Sequence, residues 1–175
     1  MFYLDVKIIS AFSQAMDHVD RILAQWNRER PALDVGPMGL LGRLARLRTH
    51  LAREIEKTLA AHGLNAASFD VLATLRRSGP PHRLSPGDLI ATTMVSSGTM
   101  TNRLDQLEKA GLIERLDNPE DRRGVIIALT PKGFSVVDEA VTAHVENQHR
   151  LLGALSAEER AALDGLLRVF LAEFE

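Results

Sequence analysis

Residues 97 to 106 carry the side chains best suited to bind a polar partner. They are Ser97, Thr99, Thr101, Asn102, Arg103 and Gln106. Hydroxyl, amide and guanidinium groups can all form hydrogen bonds with base edges in the major groove of DNA. Met100, Leu104 and Leu107, in and directly after this stretch, recur at helical spacing, which predicts a helix that turns an apolar face inward and leaves the polar face open. Such a helix could enter a major groove.

A second, shorter helix is predicted just before this one. Ser85, Pro86 and Asp88 have the form of a helix start, because Ser caps free amides, Pro fits the first turn and an early carboxylate suits the positive end of the helix dipole. The short helix is expected to span residues 86 to 92, and the longer helix to end at Gly111. The two together predict a helix-turn-helix.

A β-hairpin is predicted to follow the two helices. The apolar segments 112–115 and 125–129 indicate two strands joined by a charged loop that contains Pro and Gly. In that loop, Arg122 and Arg123 could place one guanidinium at a phosphate or in a narrow minor groove, while Asp121 holds the other by an ion pair. A solvated turn would explain an isolated cluster of this kind. The helix that precedes it favours a DNA-contacting wing.

These segments resemble the MarR family of bacterial transcription regulators. The resemblance is carried by TNRLDQLEKAGL at 101–112, DRRG at 121–124 and LTPKG at 129–133. It agrees with a mainly α-helical fold with a small β-wing, a winged helix-turn-helix with helical dimerisation arms.

The whole chain, 1–175, is predicted to form a single MarR-like domain. Residues 63–130 would be the DNA-binding lobe, and residues 1–62 and 131–175 would supply the dimerisation helices. Apolar residues at helical spacing predict helices outside the helix-turn-helix at about 17–30, 38–62, 66–77, 131–152 and from Ser156 onward. The stripe expected to face the core in the second of these helices is Leu40, Leu44, Leu47, Leu51, Ile55 and Leu59.

The apolar surface of the terminal helices exceeds what one winged lobe can cover. A homodimer paired through these helices would bury it, and a two-fold axis would set two recognition helices about one DNA turn apart, on the order of 34 Å.

The chain is also similar to the PecS-like branch of the family, which responds to urate and related purines. This similarity lies in the run from Trp26 to Asp34 and in residues 69–79. It implies that Trp26 and Asp70 bind an anionic, planar purine together with an arginine, for which Arg103 is the candidate; Arg103 is equally a candidate for DNA contact. From the residues alone, Trp26 could be a core or interface aromatic, and Asp70 could be a surface carboxylate favoured by the helix dipole. A phenolic acid would also suit a Trp and an Arg.

Composition restricts the other functions. With 21 basic and 23 acidic residues the net charge is −2, so attraction to phosphate must come from local placement of Arg and Lys. No cysteine is present, which excludes disulfides and thiolate metal sites. The histidines come with no obvious carboxylate set, and no Gly-rich phosphate loop or activated nucleophile is found, so neither a metal, a cofactor nor enzymatic activity is expected. Asp5 and Lys7 interrupt the apolar start, which argues against a signal peptide or membrane span and fits a cytoplasmic protein.

The sequence therefore predicts a ligand-responsive, DNA-binding transcription regulator. The expected form is a repressor released from a pseudo-palindromic operator by a small aromatic anion such as urate. The alternatives are a constitutive architectural DNA-binding protein without an effector and a regulator that responds to a phenolic ligand.

Overall fold

The computed structural model describes residues 16–93, 100–118 and 124–175, which contain seven helices and one three-stranded sheet. Contacts within the chain divide it into two units, with the boundary between His50 and Leu51. None of the helices in the described ranges has the length and apolar character needed to cross a membrane.

The first unit contains helix α1 (His18–Glu29) and the beginning of helix α2 (Gly36–Ala60). Asp17 caps α1 with a capping box: its carboxylate accepts from the amide of Asp20, and the Asp20 carboxylate accepts from the amide of Asp17. The two helices approach closely because α2 has a glycine, Gly39, at the point of contact. A Cβ at Gly39 would lie 3.0 Å from Leu23 of α1, so a larger residue would force that side chain to move.

An ion-pair cluster also joins α1 to α2. The Arg43 guanidinium donates to Asp17 over 2.8 Å and to Asp20. The backbone amide of Asp20 and the Arg43 guanidinium together lower the pKa of Asp17 from 3.8 to about 2. A carboxylate whose folded-state pKa is depressed stabilises the fold above its unfolded pKa, and this stabilisation is lost as the pH falls towards the folded pKa.

We therefore expect the α1 contact to weaken between pH 3.8 and about 2. Trp26 is the only tryptophan and lies on α1, so its fluorescence reports this helix directly. Arg43→Gln should move the acid midpoint of Trp26 fluorescence to higher pH, because the charged partner of Asp17 is lost. Arg48→Gln is the control, because Arg48 is an exposed arginine on α2, the helix that carries Arg43, and this change should leave the midpoint in place. Equal midpoints for Arg43→Gln and the unmodified protein would contradict the assignment.

The second unit contains the end of α2 and all later elements. These are helix α3 (Ala66–Arg77), strand β1 (Arg83–Leu84), helix α4 (Pro86–Thr92), helix α5 (Met100–Lys109), strands β2 (Ile113–Asp117) and β3 (Val125–Leu129), and helices α6 (Pro131–Leu151) and α7 (Ala157–Leu171). The sheet is antiparallel with the order β1-β3-β2. Leu84 pairs with Ile127, and Ile113 pairs with Leu129.

One apolar core holds the second unit together. Leu72 and Leu75 of α3 lie at its centre with Leu89 of α4, and all three are fully buried. The inward face predicted for α5 is confirmed, since its apolar stripe is buried: Met100, Leu104 and Leu107. Burial of α4 and α5 in the same core fixes the position of both helices.

The first turn of α6 lies directly against the turn between α5 and β2. Thr130 caps α6, accepting from the amide of Gly133 over 2.9 Å and donating to the carbonyl of Gly111 over 2.7 Å. Lys132 donates to the carbonyl of Ala110 over 2.8 Å, which places a cation at the C-terminal end of α5. The LTPKG segment thus connects α6 to the end of the helix-turn-helix.

The predicted core stripe of α2 is wrong at two of its positions, Leu40 and Leu47. Leu40 and Leu47 are 61% and 49% exposed, whereas Leu59 is buried. Helix α7 has no buried residue in the single chain, although Leu166, Val169 and Phe170 are apolar. The prediction that the terminal helices carry more apolar surface than one chain covers is confirmed.

Candidate nucleic-acid interface

Helices α4 and α5 follow each other in the chain and pack on the same core, as the two helices of a helix-turn-helix do. Ser85 caps α4 by accepting from the amide of Asp88 over 3.1 Å, as its position before Pro86 predicts. The end of α4 is attached to α3, because Arg77 donates to the carbonyl of Thr92 over 2.6 Å. Helix α4 is therefore capped at its N-terminal end and attached to α3 at its C-terminal end.

The face of α5 opposite the core is polar and open. Thr101, Asn102 and Gln106 are exposed, as predicted, while Arg103 is half-buried. One terminal nitrogen of the Arg103 guanidinium is buried and has no hydrogen-bond partner in the part of the chain that the structure describes. Exposed Asn and Gln side chains one helical turn apart can reach neighbouring base edges.

Four residues of the predicted DNA contact lie outside the described residues. They are Ser97, Thr99, Arg122 and Arg123. Their roles remain predictions from the sequence.

An arginine that the sequence analysis did not single out connects the wing to α5. Arg115 of β2 donates to Asp105 over 2.5 Å and also to Glu108. The hydrogen bond that Arg115 donates to Asp105, together with the charge of Glu108, raises the pKa of Arg115 above its usual value. Helix α5 is thus attached to the hairpin by two ion pairs as well as by its apolar side.

The second unit contains a cavity of about 380 Å³ between α2, α3 and α6. Its walls include Ile55 and Leu59 of α2, Phe69 and Asp70 of α3, and His144 of α6. The Phe69 and His144 rings lie 4.9 Å apart at 49°. The cavity therefore combines an apolar, partly aromatic lining with one carboxylate, a combination suited to a small planar ligand.

His144 has a special environment in this wall. Its Nε2 lies 2.8 Å from the side-chain nitrogen of Gln148, and its Nδ1 is buried without a partner among the described residues. Burial lowers the pKa of His144. The imidazole is therefore neutral at neutral pH and adds no positive charge to the cavity.

The structure places the three predicted effector residues on three different helices. Asp70 lines the cavity, Arg103 on α5 is not among its lining residues, and Trp26 lies on α1 of the first unit with 40% of its surface exposed. From the sequence, the histidines, His144 among them, are considered only as possible metal ligands. The spacing of His144 from Val137 and Ala140, both buried on α6, could have placed it on the inward face of that helix. Within the described ranges no group of three or more His, Asp or Glu residues could hold a metal ion.

Two helices in a helix-turn-helix, followed by an antiparallel hairpin and an open polar face on the second helix, define a winged-helix DNA-binding protein. The sequence profile of the MarR family matches residues 64–125. The regulator PecS of Dickeya dadantii (strain 3937) is 42% identical, over 85% of this chain and 90% of its own length.

Solved structures give the same result. A mutant of Escherichia coli MarR complexed with operator DNA is similar with a TM-score of 0.66 and 28% identity, over 83% of this chain and 97% of that one. Bordetella bronchiseptica BpsR, whose DNA binding is regulated by 6-hydroxynicotinic acid, has a TM-score of 0.65 and 29% identity, over 74% of this chain and 90% of that one. This chain belongs to the MarR family of transcription regulators, which are not enzymes.

Proposed function

We propose that this protein is a homodimeric repressor that binds a pseudo-palindromic operator in the cytoplasm and is released by a small planar aromatic anion, urate or a related purine. The observation that carries the proposal is the open polar face of α5 beside the wing. The similarity of this chain to a MarR mutant complexed with operator DNA supports the same use of that face.

DNA recognition is divided between two groups of residues. Thr101, Asn102 and Gln106 are exposed on α5 and would contact base edges. Ser97, Thr99 and Arg103 are proposed to join them. Arg122 and Arg123 of the wing would supply affinity and groove-shape readout.

The apolar surface of α7 supports the dimer. Leu163, Leu166, Leu167 and Phe170 share one face of α7 and are 36%, 60%, 43% and 42% exposed in the single chain. An apolar row of this length on one helix is typical of a surface that another molecule covers. A second copy of the chain is the proposed occupant, because isologous pairing of identical faces also gives the two-fold symmetry that a palindromic operator requires.

The cavity supports a small planar effector with N–H groups. The Asp70 carboxylate at its wall accepts hydrogen bonds, which the ring N–H groups of a purine can donate. A phenolic acid offers one hydroxyl donor, fewer than the several ring N–H donors of a purine. Regulation of BpsR by 6-hydroxynicotinic acid, also a planar nitrogen heterocycle, supports this class of ligand. Trp26 and Arg103 remain proposed effector residues on the resemblance to the urate-responsive branch alone.

The function is tested by a mobility-shift titration on DNA from just upstream of the protein's own gene. The titration is repeated with urate, xanthine and a phenolic acid, and light scattering gives the mass of the protein in the same buffer. Release by a purine from a complex with two chains would support the proposal. Tight binding that no ligand disturbs would reject the effector and favour a constitutive DNA-binding protein.

Replacing Asp70 tests its role in the effector site. We expect Asp70→Asn to require roughly tenfold more purine for release, because one charged hydrogen-bond acceptor is lost. Operator affinity without ligand should not change. Trp26→Phe should act in the same direction if Trp26 belongs to the site. Glu139→Gln, a comparable change of an exposed carboxylate on α6, is the control. Unchanged purine sensitivity of Asp70→Asn would remove Asp70 from the site.

A further inference from the structure

We propose that Arg115 is a positioning residue for DNA sequence discrimination: it sets the orientation of α5 relative to the wing without touching DNA itself. The proposal rests on the proposed function of α5 as the recognition helix. Arg115 belongs to strand β2, but it would determine where the side chains of α5 point.

Two attachment points make the contact resistant to rotation. Asp105 and Glu108 are three residues apart on α5 and therefore lie on the same side of the helix. Both bind the Arg115 guanidinium, whose planar shape presents several donors in fixed directions. The buried leucines Leu104 and Leu107 hold α5 against the core, but apolar contact is non-directional and permits small rotations of a helix about its axis.

Rotation of α5 would matter for base recognition. Hydrogen bonds weaken steeply when distance and angle depart from their optimum. Asn102 and Gln106 project from the exposed side of α5, so a small rotation displaces both amide groups at once. Contacts with phosphates depend less on geometry, since charge acts over a longer range. Loss of the Arg115 contact should therefore reduce sequence discrimination more than general affinity.

The same contact also affects the negative charge that α5 presents to DNA. The side chains of Asp105 and Glu108 are 60% and 40% exposed, on the helix that is proposed to enter the groove. Without Arg115, these two carboxylates would repel the phosphates of any DNA sequence. The Arg115 side chain is 30% exposed and its guanidinium is already bound to the two carboxylates, which makes it a poor phosphate ligand. An experiment must separate the charge effect from the orientation effect.

The test compares the affinity for two duplexes, one selected by the unmodified protein from a randomised pool and the other a scrambled version of it. Arg115→Gln should reduce the ratio of the two affinities by about tenfold, the effect of losing one good base contact. Arg115→Gln combined with Asp105→Asn and Glu108→Gln removes the uncompensated charge. This triple variant should regain affinity for the scrambled duplex but not the discrimination ratio. Arg115→Lys retains the charge and should keep part of the discrimination ratio. It provides a second measurement in case Arg115→Gln does not fold.

Three results would overturn the proposal. If the triple variant regains full discrimination, Arg115 acts through charge alone. If Arg115→Gln weakens binding of both duplexes equally and lowers the slope of log affinity against log salt by about 1, Arg115 contacts a phosphate directly. If the unmodified protein binds both duplexes equally well, the proposed function itself is wrong. This failure is distinguishable from a failure of the Arg115 proposal alone, because it is seen in the unmodified protein before any variant is made.

Discussion

Gly133→Ala is expected to destabilise the protein by about 3 kcal/mol, at the upper end of the usual cost of inserting a methyl group into a packed region. A Cβ at this position would lie 1.8 Å from the carbonyl oxygen of Leu112 and 2.8 Å from its carbonyl carbon. Those atoms belong to the backbone and cannot rotate away as a side chain can. Relief would require α6 to move away from the turn that ends α5.

Such a movement would break the other contacts at this point. Thr130 is bonded to both Gly133 and the carbonyl of Gly111, and Lys132 is bonded to the carbonyl of Ala110. The free energy of unfolding of Gly133→Ala would be measured by denaturant titration at one fixed protein concentration.

The matched control for this change is Gly87→Ala in helix α4. There the added Cβ would meet its nearest neighbour, the hydroxyl of Ser85, at an ordinary 3.7 Å. This variant should be at least as stable as the unmodified protein, because Ala without a steric conflict in a helix gains up to about 1 kcal/mol over Gly. Equal stability of the two variants would show that α6 yields easily and that the close approach at Gly133 does not hold it in place.

The elements that the sequence predicted well are those with local start signals. Helix α3 begins after Asn65, whose side chain accepts from the amide of Ser68 over 2.8 Å, and helix α4 begins after Ser85 in the same way. Both helices have the predicted bounds, 66–77 and 86–92. Caps act within four residues, so the sequence contains the whole interaction.

Elements that depend on distant residues were not predicted. Strand β1 has only Arg83 and Leu84, and it exists because these pair with Ala128 and Ile127 of β3. The cavity wall is another case, since His144 reaches Phe69 only when α6 packs on α3. Neither contact leaves a periodic signal in the sequence, because its partners are more than forty residues apart.

The α2 stripe shows a different limit of sequence patterns. Periodicity correctly placed Leu40, Leu47 and Leu59 on apolar positions of one helix, yet only Leu59 is buried in the single chain. A helical repeat shows which residues share a face, but not whether the same chain or another molecule covers that face. The wrong part of this prediction therefore lies where the proposed dimer would supply the missing contact.

Asn102→Ala and Gln106→Ala are each expected to weaken binding of the selected duplex by about 1–3 kcal/mol, or roughly 5- to 150-fold. Both side chains are exposed on α5, one turn apart, and opposite the buried Leu104. A bidentate amide contact with a base is lost entirely when the side chain is cut back to Cβ. Their exposure also means that neither change should alter stability by more than about 0.5 kcal/mol. Fluorescence anisotropy with labelled duplexes would give both affinities.

Gln25→Ala and Asn27→Ala on α1 make the same chemical changes at exposed positions of another helix and should leave both affinities unchanged. Binding of the scrambled duplex should also be insensitive to the α5 changes, because phosphate contacts supply most non-specific affinity. If Asn102→Ala and Gln106→Ala weaken the selected and scrambled duplexes by the same factor, the two amides contact the DNA backbone. Sequence discrimination would then have to come from other residues of α5 or from the shape of the groove.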